Sequence, residues 1–216
     1  MAERNRSSSL IARAPICALG EEHRPAIESH LLALSDSDRY LRFGYAARDA
    51  QIRRYVEGLR FGCDEIFGVF NKHLELIAMT HLAYSLESTH ANVAEFGVSV
   101  SAHARGRGYG KQLFDRAVTH ARNHGVTMLL IHALSENAAM LSIARKAGAR
   151  IMRDGSESEC HLALPPADFE SHVTELLEDR VARTNYRLKA HTHRFRRWLG
   201  RWLGWKVPER RLRERA

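Results

Sequence analysis

The segment Arg105-Gly106-Arg107-Gly108-Tyr109-Gly110-Lys111 puts three glycines and three cations into seven residues. Glycine lets a backbone come close to an anion and take conformations closed to other residues. Unpaired N–H groups where a helix begins, with the positive end of its dipole, then make a site for phosphate. Arg105, Arg107 and Lys111 add positive charge. Two well-known phosphate loops do not fit. The dinucleotide fingerprint spaces its glycines Gly-x-Gly-x-x-Gly, whereas here they run Gly-x-Gly-x-Gly. The P-loop needs Ser or Thr after its lysine, and Gln112 follows Lys111. A second residue with chemistry is Glu95, a carboxylate whose same-side neighbours Gly97 and Ser99 leave room for a substrate.

Elements must hold these residues in place, and hydrophobic spacing supplies them. From Glu95 to Val100 the chain alternates, with Phe96, Val98 and Val100 to one side and Glu95, Gly97 and Ser99 to the other. After the glycine-rich loop comes a helix with Leu113, Phe114, Ala117, Val118 and Ala121 on one stripe, stopped by Gly125. Residues 127–133 are almost continuously apolar, as expected of a strand covered on both faces. A helix from about Ala138 to Ala147 ends at Gly148, and Ile151 to Leu164 reads as two closing strands around Asp154-Gly155. Upstream, Ile27, Leu31 and Leu34 mark a helix from Glu21 to Leu34 that Ser35-Asp36-Ser37-Asp38 breaks. A second helix, about Arg48 to Leu59, puts Ile52, Tyr55, Val56 and Leu59 on one face. Glu65 to Phe70 and Leu74 to Tyr84 form a hairpin through Asn71-Lys72.

The hairpin predicts antiparallel pairing, and the strand–helix–strand unit at residues 94–133 predicts one parallel pair. The expected class is therefore α+β, a mixed sheet and not a doubly wound one. Residues 1–15 read as a polar arm, 16–166 as the folded domain closed by Pro165-Pro166, and 167–216 as a basic helical extension.

Arg105-x-x-Gly108-x-Gly110 resembles the Arg/Gln-x-x-Gly-x-Gly/Ala motif of the GNAT acyltransferases, which bind acetyl-CoA. The likeness spans about residues 20–165 and includes the element order, the preceding strand, and Asn137 at the head of the next helix. It implies a mostly antiparallel sheet with one splayed parallel pair. It also implies acetyl-CoA as co-substrate, with Val98, Ser99 and Val100 on its pantetheine, Arg105 to Lys111 on its pyrophosphate, and Asn137 near the thioester. Asp38-Arg39-Tyr40-Leu41-Arg42-Phe43, Ala94-Glu95-Phe96 and Asn137-x-x-Met140-x-x-Ile143-Ala144-Arg145 resemble stretches of bacterial Pat-type protein lysine acetyltransferases.

Acetyl transfer needs a neutral amine, whereas a free lysine amine has a pKa of about 10.4, so a general base is useful. Glu95 is the candidate, and the Pat likeness implies a catalytic glutamate in the same strand. The acceptor is an amine, a protein lysine or a small molecule, in a pocket walled by residues 35–47 and 153–158. Many GNAT enzymes carry an acid tyrosine seven residues after the asparagine; Ala144 stands there. That departure keeps open a non-catalytic acetyl-CoA sensor. His132 reads as a core histidine, His81, His103 and His161 stand singly, and Cys160 reads as packing in an edge strand, so no metal is expected.

The 216 residues carry a formal net charge of +8 that is unevenly spread. Residues 181–216 hold 12 Lys+Arg against two acids, leaving the preceding 180 slightly acidic, which disfavours nucleic acid as partner. In the tail, Phe195, Trp198, Leu199, Trp202 and Leu203 line one helical face opposite Arg194, Arg196, Arg197 and Arg201. Residues 194–205 thus fit an anionic membrane surface, or packing on the domain or a second copy. Three scattered cysteines and an N-terminus without a secretory signal lead us to expect a cytoplasmic protein.

Overall fold

The computed structural model describes residues 14–85, 92–167 and Glu175. Its elements run β1 (Ile16–Ala18), α1 (Arg24–Leu32), α2 (Asp36–Phe43), α3 (Asp49–Glu57), β2 (Glu65–Phe70), β3 (Leu76–Tyr84) and β4 (Val93–Val100). Then follow α4 (Tyr109–Asn123), β5 (Met128–Leu134), α5 (Ala138–Lys146), β6 (Arg150–Asp154) and β7 (Glu157–Ala163). Seven strands form one sheet in the order β1-β2-β3-β4-β5-β7-β6. Every neighbouring pair is antiparallel except β4 and β5. This is the mixed α/β sheet with one parallel pair expected from the sequence.

The faces follow from side-chain alternation. Ile27, Leu31, Ile52 and Val56 of α1 and α3 pack with Ile66, Phe70 and Met79 on one face. Phe114, Ala117 and Ala121 of α4, with Met140, Leu141 and Ala144 of α5, pack against Leu82, Phe96, Leu129 and Ile131 on the other. Cores of this kind supply roughly 25 cal/mol per Å² of apolar area removed from water. They fix the floor from which the site side chains rise.

Several sequence expectations are corrected. Ser35 does not merely break a helix: its hydroxyl accepts from the Asp38 N–H at 3.2 Å and caps α2, which Gly44 ends in the left-handed region at φ 79°. Residues 35–47 are thus mostly helix. The hairpin turn runs through Leu74 (φ 61°), held there because Asn71 Oδ1 accepts from the N–H groups of His73 and Glu75. The short β1 has no periodicity of its own to reveal it; it forms by adding to the edge of β2. Among the described residues, 127–133 are fully covered on one face alone: Leu130 is half-buried and His132 is exposed, not a core histidine. Cys160 is fully buried, but β7 is interior and β6 is the edge.

Beyond the closing prolines, Glu175 lies against α4. Its carboxylate accepts from His120 Nδ1 at 2.5 Å and from Asn123 Nδ2, and sits 3.4 Å from Arg116. Burial alone would raise its pKa, yet these donors bring it down to about 2. Of the arm expected at residues 1–15, residues 1–13 lie outside the described residues, as does the amphipathic stretch 194–205.

Candidate active site

β4 and β5 pair only from Val93↔Met128 to Glu95↔Leu130 and then part. Beyond Glu95, the edge of β4 that faces β5 is left without a strand partner among the described residues. The wedge between the strands opens into two adjoining cavities of about 430 and 620 Å³. They meet at Leu41, Arg42, Val98, Asn137 and Met140, which border both.

The smaller cavity gathers the residues expected to hold acetyl-CoA. Val98, Ser99, Val100, Arg105, Gly106, Gly108, Tyr109, Gly110, Lys111 and Asn137 all border it; Arg107 does not. Gly106 and Gly108 take φ of 74° and 77°, conformations that favour glycine. The first α-helical hydrogen bond at this end runs from Gln112 N–H to Gly108 C=O. The N–H groups of residues 106–111 therefore have no backbone acceptor among the described residues. The cations do less than their number suggests. Arg105 is ion-paired to Asp38 of α2, and Lys111 reaches Asp115 at 2.5 Å. The capacity for an anion resides mainly in the backbone.

Two of these residues have structural work of their own. Ser99 is buried, and its hydroxyl donates to His30 Nε2 at 2.9 Å while His30 Nδ1 lies 3.0 Å from the Leu76 carbonyl. Burial pushes His30 down to about 4, so it is neutral and fits this bonding. Asn137 caps α5, its Oδ1 accepting from the Met140 N–H at 3.1 Å. Ala144 is fully buried in the core under α5, so nothing at that position faces the cleft.

The larger cavity has Glu95 and Gly97 on its floor, Arg42 and Phe43 of α2 and Tyr55 of α3 at its inner end, and residues 152–154 and 157–159 at its outer rim. Beneath the inner end runs a buried polar chain. Asp64 accepts from Arg60 Nε at 3.1 Å and Nη2 at 2.5 Å, and from the Tyr84 N–H. Its Oδ2 lies 3.3 Å from His81 Nε2. Burial lowers the His81 pKa and raises that of Tyr55. The Tyr55 hydroxyl thus donates to neutral His81 Nδ1 at 2.7 Å and accepts from Arg42 Nη2 at 2.9 Å. Arg42 in turn lies against Gly97: an added Cβ there would stand 2.7 Å from the guanidinium carbon.

In the sequence Tyr55 lies on an apolar helix face, His81 stands singly, and nothing marks Asp64. Only the register that sets His81 opposite Gly97 brings them to the cleft. Away from the cleft, His120, His124 and Glu175 lie within 4.8 Å of one another. The two rings stack at 3.9 Å and Arg116 faces the same carboxylate, which describes a clamp on α4 and not a ligand set.

Residues 18–150 match the family model of the acetyltransferase (GNAT) domain. The fold is similar to the GNAT domain of S. lividans PAT (18% identity, 69% of this chain and 89% of that chain, TM-score 0.59). It is also similar to an N-acetyltransferase from Staphylococcus aureus Mu50 (15%, 71% and 100%, TM-score 0.58). A third likeness is to a ribosomal-protein-alanine N-acetyltransferase from Brucella melitensis (15%, 68% and 96%, TM-score 0.54).

Proposed function

The chain belongs to the GNAT acetyltransferase family and is an acyltransferase acting on an amine, and from that premise we propose that it uses acetyl-CoA with Glu95 as general base. One observation carries the reading. Glu95, the last β4 residue paired to β5, borders the larger cavity at the mouth of the wedge whose other arm ends on the free amides of residues 106–111.

On this reading the amine enters over Glu95 as an ammonium ion, and the exposed carboxylate takes one proton. The neutral nitrogen attacks the thioester carbonyl where the two cavities meet, forming the C–N bond as the C–S bond breaks. The second amine proton is shed to water in a cleft that is open at its rim. With Ala144 buried, thiolate departure draws on solvent for its proton, tolerable because a thiol pKa of about 8.5 makes it a moderate leaving group. The Pat-type likeness supports a protein lysine as acceptor. The limited volume of the cavity, about 620 Å³, favours the second reading, a small amine, and the cation at its inner end favours one that also carries an anionic group. Free thiols at Cys17, Cys63 and Cys160 are consistent with a reducing, cytoplasmic setting.

Calorimetric titration with acetyl-CoA, followed by a CoA-release assay over a panel of amines and a lysine peptide, tests the reading. The Glu95→Gln variant should bind acetyl-CoA unchanged and lose about 100-fold or more in kcat. Unaltered turnover would remove Glu95 from the mechanism. Tight binding without CoA release on any amine would leave acetyl-CoA sensing.

A further inference from the structure

The acceptor cavity presents two opposite charges, Glu95 and Arg42, that do not satisfy one another. Among the described residues no carboxylate lies within ion-pair reach of Arg42, although its side chain is half-buried. A guanidinium taken partly out of water normally finds an anionic partner. Among the described residues its one hydrogen bond goes to Tyr55, with the rings of Phe43 and Tyr55 at 5.1 and 5.5 Å. The other N–H donors are left to the cavity. Gly97 makes the seat, since any larger residue would drive the guanidinium off the strand.

Resting on the reading that this cavity takes the acetyl acceptor, we propose that the acceptor is a free amino acid. Arg42 holds its carboxylate and Glu95 receives its amine. The spacing supports both contacts at once. Arg42 sits over Gly97, and Glu95 leaves the same face of β4 one pleat earlier, about 7 Å along the strand. In an α-amino acid the nitrogen and the carboxyl carbon are about 2.5 Å apart. With a hydrogen bond of about 2.9 Å at each end, one of them to a carboxylate oxygen about 1.2 Å beyond that carbon, the reach is at most about 9.5 Å and so covers the separation. Beside Glu95 the opposed residue on β3 is Ala83, which leaves room for a side chain. Beside Gly97 it is His81, neutral and turned to Tyr55, so it offers the carboxylate no competing charge. An amine lacking the carboxylate would leave the donors of Arg42 unpaired in a sheltered site, the circumstance in which an enzyme discriminates strongly.

The test compares amino acids with the amines that result from removing their carboxylates: phenylalanine with phenethylamine, leucine with isoamylamine, methionine with 3-methylthiopropylamine. With full-length protein and acetyl-CoA, at least one amino acid should exceed its partner amine about tenfold or more in kcat/KM. Arg42→Gln should erase that ratio by raising the amino-acid KM, with acetyl-CoA affinity unchanged. Arg42→Lys should restore part of it, because lysine keeps the charge without the fork. Equal kcat/KM within every pair overturns the proposal. So does an Arg42→Gln variant that loses kcat equally on both members, which would put Arg42 on the thioester instead. Should no compound release CoA, acetyl transfer to these acceptors fails by its own test. Calorimetry of the same pairs against the protein with bound acetyl-CoA then decides separately: an amino acid bound through Arg42 supports the site, and no preference over the amine overturns it.

Discussion

The two arms of the cleft are built from different materials. Along residues 98–111 the wall is backbone: an unpaired strand edge, two glycines with positive φ, and the free amides at the start of α4. In the acceptor arm it is side chains from three separate segments, Arg42, Tyr55 and Glu95, backed by His81 and Asp64 from two more. Backbone presents one surface whatever the substrate around it, which suits a co-substrate shared by a whole family. A chain of side chains can be altered one link at a time, which suits a variable acceptor. The difference teaches where specificity can change without loss of the fold.

The largest test loads the strand that both arms share. Ser99 of β4 is tied to His30, whose pKa is about 4 in the folded protein and about 6.5 when exposed. As pH falls below 6.5 the unfolded chain takes up the proton first. The stability from keeping His30 neutral is therefore complete above about pH 6.5 and is lost progressively as pH falls from about 6.5 to about 4, up to about 3 kcal/mol. Urea midpoints at pH 7 and pH 4.5 should show the fall, and His30→Gln should flatten it. An unchanged slope would mean that the floor of β4 does not rest on this histidine.

Next in size is the backbone arm. Gly108→Val forces a β-branched residue to a φ of 77° at the start of α4, a strain of about 1–2 kcal/mol that also displaces the amides. Acetyl-CoA affinity should fall about a hundredfold, as displacements near 1 Å at a positioned site can do. Acceptor KM, measured at saturating acetyl-CoA, should hardly move. If both constants move together, the arms are not separable. A smaller effect belongs to the side-chain arm. Tyr55→Phe strips the bridge between His81 and Arg42, leaving buried groups unpaired at about 1–3 kcal/mol. We expect about a tenfold loss in kcat/KM for the acceptor, with acetyl-CoA affinity retained by calorimetry.

These unequal arms explain what the sequence disclosed. The glycine-rich loop is contiguous, so its seven residues carry an anion-binding pattern legible without the fold. The parallel pair and the α4 crossover followed from the alternation at 95–100 and the stripe at 113–121, both local patterns. The acceptor arm has no such contiguity. Asp64 and His81 meet only through the β2–β3 register, and Tyr55 sits on a face whose neighbours Ile52 and Val56 are fully buried. A tyrosine at that spacing looks like core until its hydroxyl is placed. His132 misled for the opposite reason: apolar neighbours in sequence suggested a covered strand, but coverage depends on where helices land. The α2 cap at Ser35 is locally visible, since Ser followed by Asp38 is a capping pattern, although the same residues also fit a helix stop.

The smallest test is the most discriminating. Gly97→Ala adds one methyl, and that methyl meets the end of Arg42 at 2.7 Å. A flexible side chain can yield, so the protein should fold with stability within about 0.5 kcal/mol of wild type. What changes is where the guanidinium rests. If Arg42 grips the acceptor, shifting it should raise acceptor KM about threefold, a cost near 0.6 kcal/mol, and leave acetyl-CoA affinity alone. The same methyl placed in an Arg42→Gln background should have no further effect on acceptor KM, because the group it displaces is gone. Two independent penalties would instead mean that Gly97 serves the acceptor directly, as open floor, and that the seat for Arg42 is incidental.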